Sequence, residues 1–151
     1  MNRVKVVING CFDLLHAGHI KIIHIALLHA QAGELLVLVN SDSSVKKLKG
    51  DDRPYNNFTV RKTEIKKVIN IWSQKYLEYP DTYVESFDSE LELECSINTF
   101  KPDMIIKGDD RPDTRDIVGS GNWPILIVPR LADKDGDVIS TTNIAKRRIK
   151  E

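Results

Sequence analysis

Strand and helix patterns alternate along this 151-residue chain, which predicts an α/β fold: a doubly wound, five-stranded parallel sheet. Three observations carry that expectation. Val4-Lys5-Val6-Val7-Ile8-Asn9 is a β-branched apolar run, the composition of a parallel strand buried on both faces. It breaks at Gly10, where the backbone is free to turn sharply, and is followed by Ile20 to Leu28, apolar and long enough for a core helix. A second apolar run, Glu34 to Asn40, lies within about 40 residues of the first, and strand, crossover helix and strand at that spacing form a right-handed βαβ unit.

The remaining elements follow in order. Gln31-Ala32-Gly33 stops the first helix, with Gly33 just past its end. Ser41-Asp42-Ser43 can cap a short helical segment from Ser44 to Leu48, and Asp51-Asp52-Arg53-Pro54-Tyr55 is a loop. Phe58 to Tyr76 is a long amphipathic helix with Val60, Ile65, Val68, Ile69 and Trp72 facing inward. Tyr79-Pro80-Asp81 breaks the chain before a third strand, Thr82 to Phe87; Asp88-Ser89 opens a helix from Glu90 to Phe100, which Pro102 ends. Asp103 to Lys107 is a fourth strand. A helical turn near Thr114 to Val118, the loop Gly119-Ser120-Gly121 and a fifth strand at Pro124 to Val128 complete the pattern.

Composition narrows the function. A hydrophobic content of 41% and a charged content of 29% fit a globular chain of one domain, residues 1–151, large enough for a substantial core. Lys plus Arg and Asp plus Glu each total 22, so the formal net charge is zero. Nothing in that balance suggests a general nucleic-acid or membrane binder, and any affinity for phosphate must come from local placement of charge. Cys11 and Cys95 are too few for a disulfide framework or a thiolate metal site. Met1-Asn2-Arg3-Val4 lacks the apolar core of a signal peptide and no apolar run reaches membrane-spanning length, so the cytoplasm is the expected compartment.

The chemistry gathers where the first strand ends, at the carboxyl edge of the sheet, the place where open α/β folds bind ligands. His16 and His19 lie three residues apart around the first turn of the helix, so their imidazoles project to the same side. Free amides and the positive end of the helix dipole favour phosphate there, and Gly18 keeps the surface low. Imidazole N–H donors on such a helix end suit displacement at phosphorus, where catalysis is mostly positioning and preorganised donors. A histidine pair at this spacing is also compatible with a purely structural role, and Cys11 with that of a small packing residue. Lys46, Lys47 and Lys49 form a basic group after the second strand, either a solvated face or a source of point charges for a triphosphate. Arg61 stands near a helix start, the wrong end for dipole complementarity, where either an anionic ligand or an ordinary surface position accounts for it. Ser140, Thr141 and Thr142 precede a basic helix ending Lys146-Arg147-Arg148 and serve either as its cap or as phosphate ligands. Lys49-Gly50-Asp51-Asp52-Arg53-Pro54 recurs as Lys107-Gly108-Asp109-Asp110-Arg111-Pro112. The flanks do not match, which favours two similar loops near one polar ligand over a repeat architecture.

The string Asn9-Gly10-Cys11-Phe12-Asp13-Leu14-Leu15-His16-Ala17-Gly18-His19 resembles the first signature of the cytidylyltransferase-like nucleotidyltransferases, a His-x-Gly-His sequence after the first strand. The resemblance covers nearly the whole chain. Asn40-Ser41-Asp42 through Lys46, Lys49-Gly50-Asp51, Arg53-Pro54 and Arg61 are similar to the second block of the heptose-1-phosphate adenylyltransferase branch. Lys107-Gly108-Asp109-Asp110 falls where family members carry a Lys-Gly-Gly-Asp or Met-Gly-Asp-Asp loop, and Ile139-Ser140-Thr141-Thr142 resembles the Ser-Thr-Thr signature.

That resemblance implies a Rossmann-like nucleotidyltransferase fold and a reaction in which a nucleoside triphosphate and a phosphorylated small molecule give a nucleotide-activated product and pyrophosphate. It implies that His16 and His19 stabilise the triphosphate and the transition state, that Lys46 holds phosphate, and that Arg61 neutralises departing pyrophosphate. Asn9, Gly10, Cys11, Phe12, Asp13, Gly18, Lys107, Gly108, Asp109, Asp110, Ile139, Ser140, Thr141 and Thr142 would line the nucleotide site. Asp13 would orient donors or help bind Mg²⁺, the metal expected with the triphosphate. Relatives of this kind are commonly dimers. The second block favours ATP and a sugar 1-phosphate such as D-glycero-D-manno-heptose 1-phosphate. Gly108-Asp109-Asp110 is instead similar to the loop of glycerol-3-phosphate cytidylyltransferases, although the Arg-Thr-x-Gly lead-in of that branch is missing before Ser140. A nucleotide-binding module without turnover is the reading from a different class. The stretch Ser73 to Ser96 is the least family-like and is the candidate for acceptor or partner specificity.

Overall fold

The computed structural model describes residues 3–75, 78–109 and 117–129. Strands β1 (Lys5–Gly10), β2 (Glu34–Asn40), β3 (Asp81–Phe87), β4 (Met104–Gly108) and β5 (Ile125–Val128) form one sheet in the order β3-β2-β1-β4-β5, with every pair parallel. Helices α1 (Ala17–His29), α2 (Asp42–Lys49), α3 (Phe58–Ser73) and α4 (Glu90–Phe100) lie between them in sequence. The expected α/β class and the five-stranded parallel sheet are both present.

Side chains alternate between the two faces of the central strands, as the twofold period of a strand requires. Val6 and Ile8 of β1 and Leu35, Val37 and Val39 of β2 join a core with Ile23, Ala26 and Leu27 of α1 and Ile65 and Ile69 of α3. Val7, Leu36 and Leu38 face the opposite way and pack with Leu93 and Ile97 of α4 and with Ile105. Helices α1 and α3 thus cover one face and α4 the other. The chain steps outward from β1 through β2 to β3 and returns by α4 to β4 on the far side of β1. The winding direction reverses between β1 and β4, so their carboxyl ends flank the topological switch point.

Several boundaries and inward positions differ from the sequence expectation. Helix α1 starts at Ala17, which puts His16 and His19 around its first turn as expected, whereas α2 runs from Asp42 to Lys49 with Ser41 as its N-cap. Helix α3 ends at Ser73, short of Tyr76. Val60 is not in the core: it is 42% exposed, and its neighbour Arg61 turns inward at 1% exposure. Gly33 serves a different purpose from the one its position suggested. Ala32, with φ of 61°, takes the left-handed conformation, whereas a Cβ on Gly33 would collide with the Val4 carbonyl oxygen. Close backbone approach demands that glycine. Only the end of the turn expected over 114–118 falls among the described residues. No helix there is long and apolar enough to cross a membrane.

Candidate active site

The carboxyl end of β1 leads into a loop, residues 11–16, whose shape is set by two non-glycine residues in left-handed conformation. Phe12 and Leu14 both have φ of 50°. Such conformations cost of order 1 kcal/mol or more each and persist where surrounding contacts over-determine them. Phe12 is buried, and its ring lies 5.4 Å from that of His19. The sharp turn expected of Gly10 is therefore made further on; a Cβ there would meet the Phe12 ring at 3.4 Å, an ordinary contact.

His16 is the N-cap of α1, and its Nδ1 accepts a hydrogen bond from the Gly18 amide at 3.1 Å. The Nδ1 of His19 accepts from the amide of His16 at 3.3 Å, which closes a reciprocal capping box built from two imidazoles. The rings stack with centroids 3.7 Å apart and planes inclined by 22°. Because each Nδ1 accepts from a backbone N–H, each neutral ring carries its proton on Nε2, on the side away from the helix end. Burial lowers the pKa of His16 from its ordinary value, and His19 is pushed down to about 3 by burial, then by His16 and by Lys49. The pair is thus neutral at physiological pH and presents two oriented N–H donors. Two amides expected to face phosphate, those of His16 and Gly18, are engaged by the rings instead.

Asp13 is 1% exposed and faces into the protein. Its carboxylate accepts from the amides of Tyr55 and Asn56 at 2.7 and 2.9 Å and from Arg53 Nε at 3.3 Å. Of the two roles expected of Asp13, orienting donors and helping to bind Mg²⁺, these bonds fit the first: it ties the β1 loop to the loop before α3. The described residues contain no group of three or more His, Cys, Asp or Glu able to hold a metal ion.

Arg61 also differs from its assigned part. Its Nε donates to the Asn56 carbonyl, Nη1 to the carbonyls of Cys11 and Asn40, and Nη2 to Asp42 Oδ1, at 2.7 to 2.9 Å. A guanidinium buried and engaged at all three nitrogens does not reach a departing pyrophosphate. It fastens four segments around the site and is a positioning residue.

The lysine of the basic group whose charge acts on both His19 and Cys11 is Lys49, at the end of α2. Lys46 lies one turn earlier, exposed, and makes no ion pair among the described residues. On the other side of β1, Lys107 Nζ donates to Asn9, at 3.2 Å from its carbonyl and 3.1 Å from its Oδ1. Among the described residues the buried Asn9 Nδ2 has no hydrogen-bond partner. The Cys11 Sγ donates to Asn40 Oδ1 at 3.6 Å. Burial raises the pKa of this thiol, against the opposing charges of Lys49, Arg61, Arg53 and Lys107. A chain of zero net charge therefore gathers four cations about one loop.

Gly18 sits between the histidines in the first turn of α1, Gly108 closes β4 and Asp109 is exposed beyond it. Asp110, Ile139, Ser140, Thr141 and Thr142 lie outside the described residues. Arg53, Asn40 and Asp42 join the expected residues at this site; for Arg53 the sequence signal is the recurring Lys-Gly-Asp-Asp-Arg-Pro string. Asn40 is buried, its Nδ2 bonded to Ser44 Oγ at 2.8 Å, and it is braced by Arg61.

A parallel doubly wound sheet, with neutral imidazole donors and clustered cations at the end of its first strand, defines a phosphate-handling enzyme of the nucleotidyltransferase class. Residues 7–147 match the model of the cytidylyltransferase-like family, and the chain belongs to that family. It is 40% identical over 148 residues to the bifunctional protein HldE of Campylobacter concisus, covering 96% of this chain and 27% of that protein. It is 37% identical over 150 residues to the bifunctional protein HldE of Syntrophotalea carbinolica, with the same coverage of each. The chain thus spans about a quarter of the length of these relatives. Among solved structures, the lipopolysaccharide core biosynthesis protein of Thermoplasma volcanium shares the fold at a TM-score of 0.58 and 23% identity, over 83% of this chain and 94% of that one. Pantothenate synthetase of Thermus thermophilus shares it at 0.60 and 13% identity, over 99% and 66%.

Proposed function

We propose that this chain transfers a nucleotidyl group from ATP to a sugar 1-phosphate, such as D-glycero-D-manno-heptose 1-phosphate, giving ADP-heptose and pyrophosphate. The observation that carries the reading is the stacked pair His16 and His19, held neutral with both Nε2–H groups available as donors. An oxygen of the acceptor phosphate attacks the α-phosphorus, the bond from that phosphorus to the bridging oxygen breaks, and pyrophosphate leaves with the bonding electrons. The attacking oxygen is already anionic near neutral pH, so no general base is required. Negative charge spreads over the phosphoryl oxygens as the bond forms. Fixed N–H donors and cations lower that barrier because they need no reorganisation when the charge develops.

Kinship with the bifunctional HldE proteins and the similarity of the second motif block to the heptose branch support the choice of ATP and sugar 1-phosphate. The Gly108-Asp109-Asp110 sequence supports a second reading, CTP with glycerol 3-phosphate. Pyrophosphate release measured across the four ribonucleoside triphosphates, with heptose 1-phosphate and glycerol 3-phosphate as acceptors, tests both. Release with ATP and the heptose is the expected result. Release with CTP and glycerol 3-phosphate selects the second reading, and binding without release from any pair selects a silent nucleotide-binding module.

A further inference from the structure

Arg53 is the residue whose chemistry the assignments above leave over. Its side chain is 5% exposed, and its Nε donates to Asp13 Oδ2 at 3.3 Å. The Tyr55 ring covers its Cζ at 4.4 Å. Beyond that one donor is unspent: among the described residues Nη2 is buried with no hydrogen-bond partner, while Nε donates to Asp13. Arg61, buried a short distance along the chain, has every nitrogen satisfied by fixed protein acceptors. A guanidinium cannot discharge by losing a proton, so leaving its N–H groups unpaired out of water is costly. Asp13 offsets only part of that charge, since the same carboxylate also accepts the Tyr55 and Asn56 amides.

The unpartnered Nη2 belongs to a side chain tied to the reaction loop. Asp13 follows Phe12 directly, and the charge of Arg53 acts on the Cys11 thiol. Tyr55 covers one face of the guanidinium and Asp13 takes Nε, which leaves Nη2 as the donor that an oxyanion would complete. Planar N–H forks match phosphate oxygens, and charge-assisted bonds of this kind are about twice as strong as neutral ones.

We propose that Arg53 is a phosphate-binding residue of this site, its unpartnered Nη2 completed by a phosphoryl group of a bound substrate. Asp13 and Tyr55 hold the fork in place for that anion. The inference rests on the nucleotidyltransferase reading for its ligand class, a phosphate monoester or a polyphosphate, and both sources are separable by experiment. Binding is measured without turnover on wild type, Arg53→Lys and Arg53→Gln, with ATP in one arm and heptose 1-phosphate in the other. The expected result is a loss of about tenfold to a hundredfold in affinity for one of the two, the size of a lost charge-assisted hydrogen bond, with the other within about twofold. The weakened arm identifies the phosphate. In parallel, ¹⁵N spectra of arginine-labelled wild type follow the Arg53 Nη–H signals as each ligand is added. Slowed exchange and a shift of those signals are expected, and this readout stands even where a variant folds poorly. Unchanged affinity for both ligands in the variants, or Nη signals indifferent to both, overturns the proposal. Tight binding through Arg53 without pyrophosphate release overturns the reaction instead and leaves this assignment standing.

Discussion

The rings of His16 and His19 lie 3.7 Å apart, and each lends its Nδ1 to the backbone of the helix turn that they begin. Helix start and donor pair are the same atoms. Replacing either ring with alanine is expected to lower the rate of nucleotidyl transfer by roughly 10² to 10³, the scale for removing one transition-state donor. His16→Ala also loses the cap, at about 1 kcal/mol. His16→Asn separates the two effects, since asparagine caps well and has no Nε2: steady-state rates fall while the denaturation midpoint returns toward that of the wild type.

Stability is expected to fall as the solution is acidified from pH 6.5. Both imidazoles have folded-state pKa values depressed below the ordinary 6.5, His19 to about 3. The unfolded chain binds protons below pH 6.5 that the folded chain refuses until much lower pH. The stabilisation is therefore complete above pH 6.5 and is lost on descent through the window down to about 3. One such histidine contributes a slope of up to about 1.4 kcal/mol per pH unit. Urea denaturation between pH 4.5 and 8 measures it, and His19→Gln should flatten the curve.

Removing the ammonium of Lys49 is expected to raise the pKa of His19, because that charge is among the causes that depress it. Lys49→Gln should weaken ATP binding more than Lys46→Gln, and an NMR titration of the imidazole reads the shift directly. Equal effects of the two substitutions would argue against Lys49 as the lysine at the site.

Arg61→Ala leaves the carbonyls of Cys11 and Asn40 and the carboxylate of Asp42 without their donor. A loss of about 3 kcal/mol or more is expected, as for breaking a buried charged network. Arg61→Lys keeps the charge but cannot reach four acceptors in three directions, so it recovers only part. Asp42→Asn should cost under about 1 kcal/mol, since that carboxylate is half exposed.

Gly33→Ala drives a methyl group into the Val4 carbonyl oxygen, at the point where α1 hands over to β2. Only backbone movement relieves that overlap. A loss of about 3 kcal/mol or failure to fold is expected, and thermal melting measures it.

Much of this architecture was legible because it is repetitive. Strand β2 and helix α4 fall where apolar runs and caps placed them, since buried parallel strands and Ser-capped helices leave local signatures. Histidine is not an expected N-cap, so the capping box at the start of α1 leaves no sequence signature beyond the residues that mark the chemistry. The family motif located the histidine pair. It did not disclose that Asp13 and Arg61 are buried struts, because their partners lie some 20 to 50 residues away in sequence and charge alone does not tell a ligand from a tie. Lys46 and Lys49 are equivalent by composition, and it is the charge of Lys49 that acts on His19 and Cys11.

One guanidinium joins Cys11, Asn40, Asp42 and Asn56. A lineage drifting toward a new acceptor cannot reshape the rim on either flank of the first strand piecemeal, since slack at any of these points passes to the other three. Innovation is thereby channelled to peripheral stretches such as 78–96, where most side chains meet solvent and change carries little structural penalty.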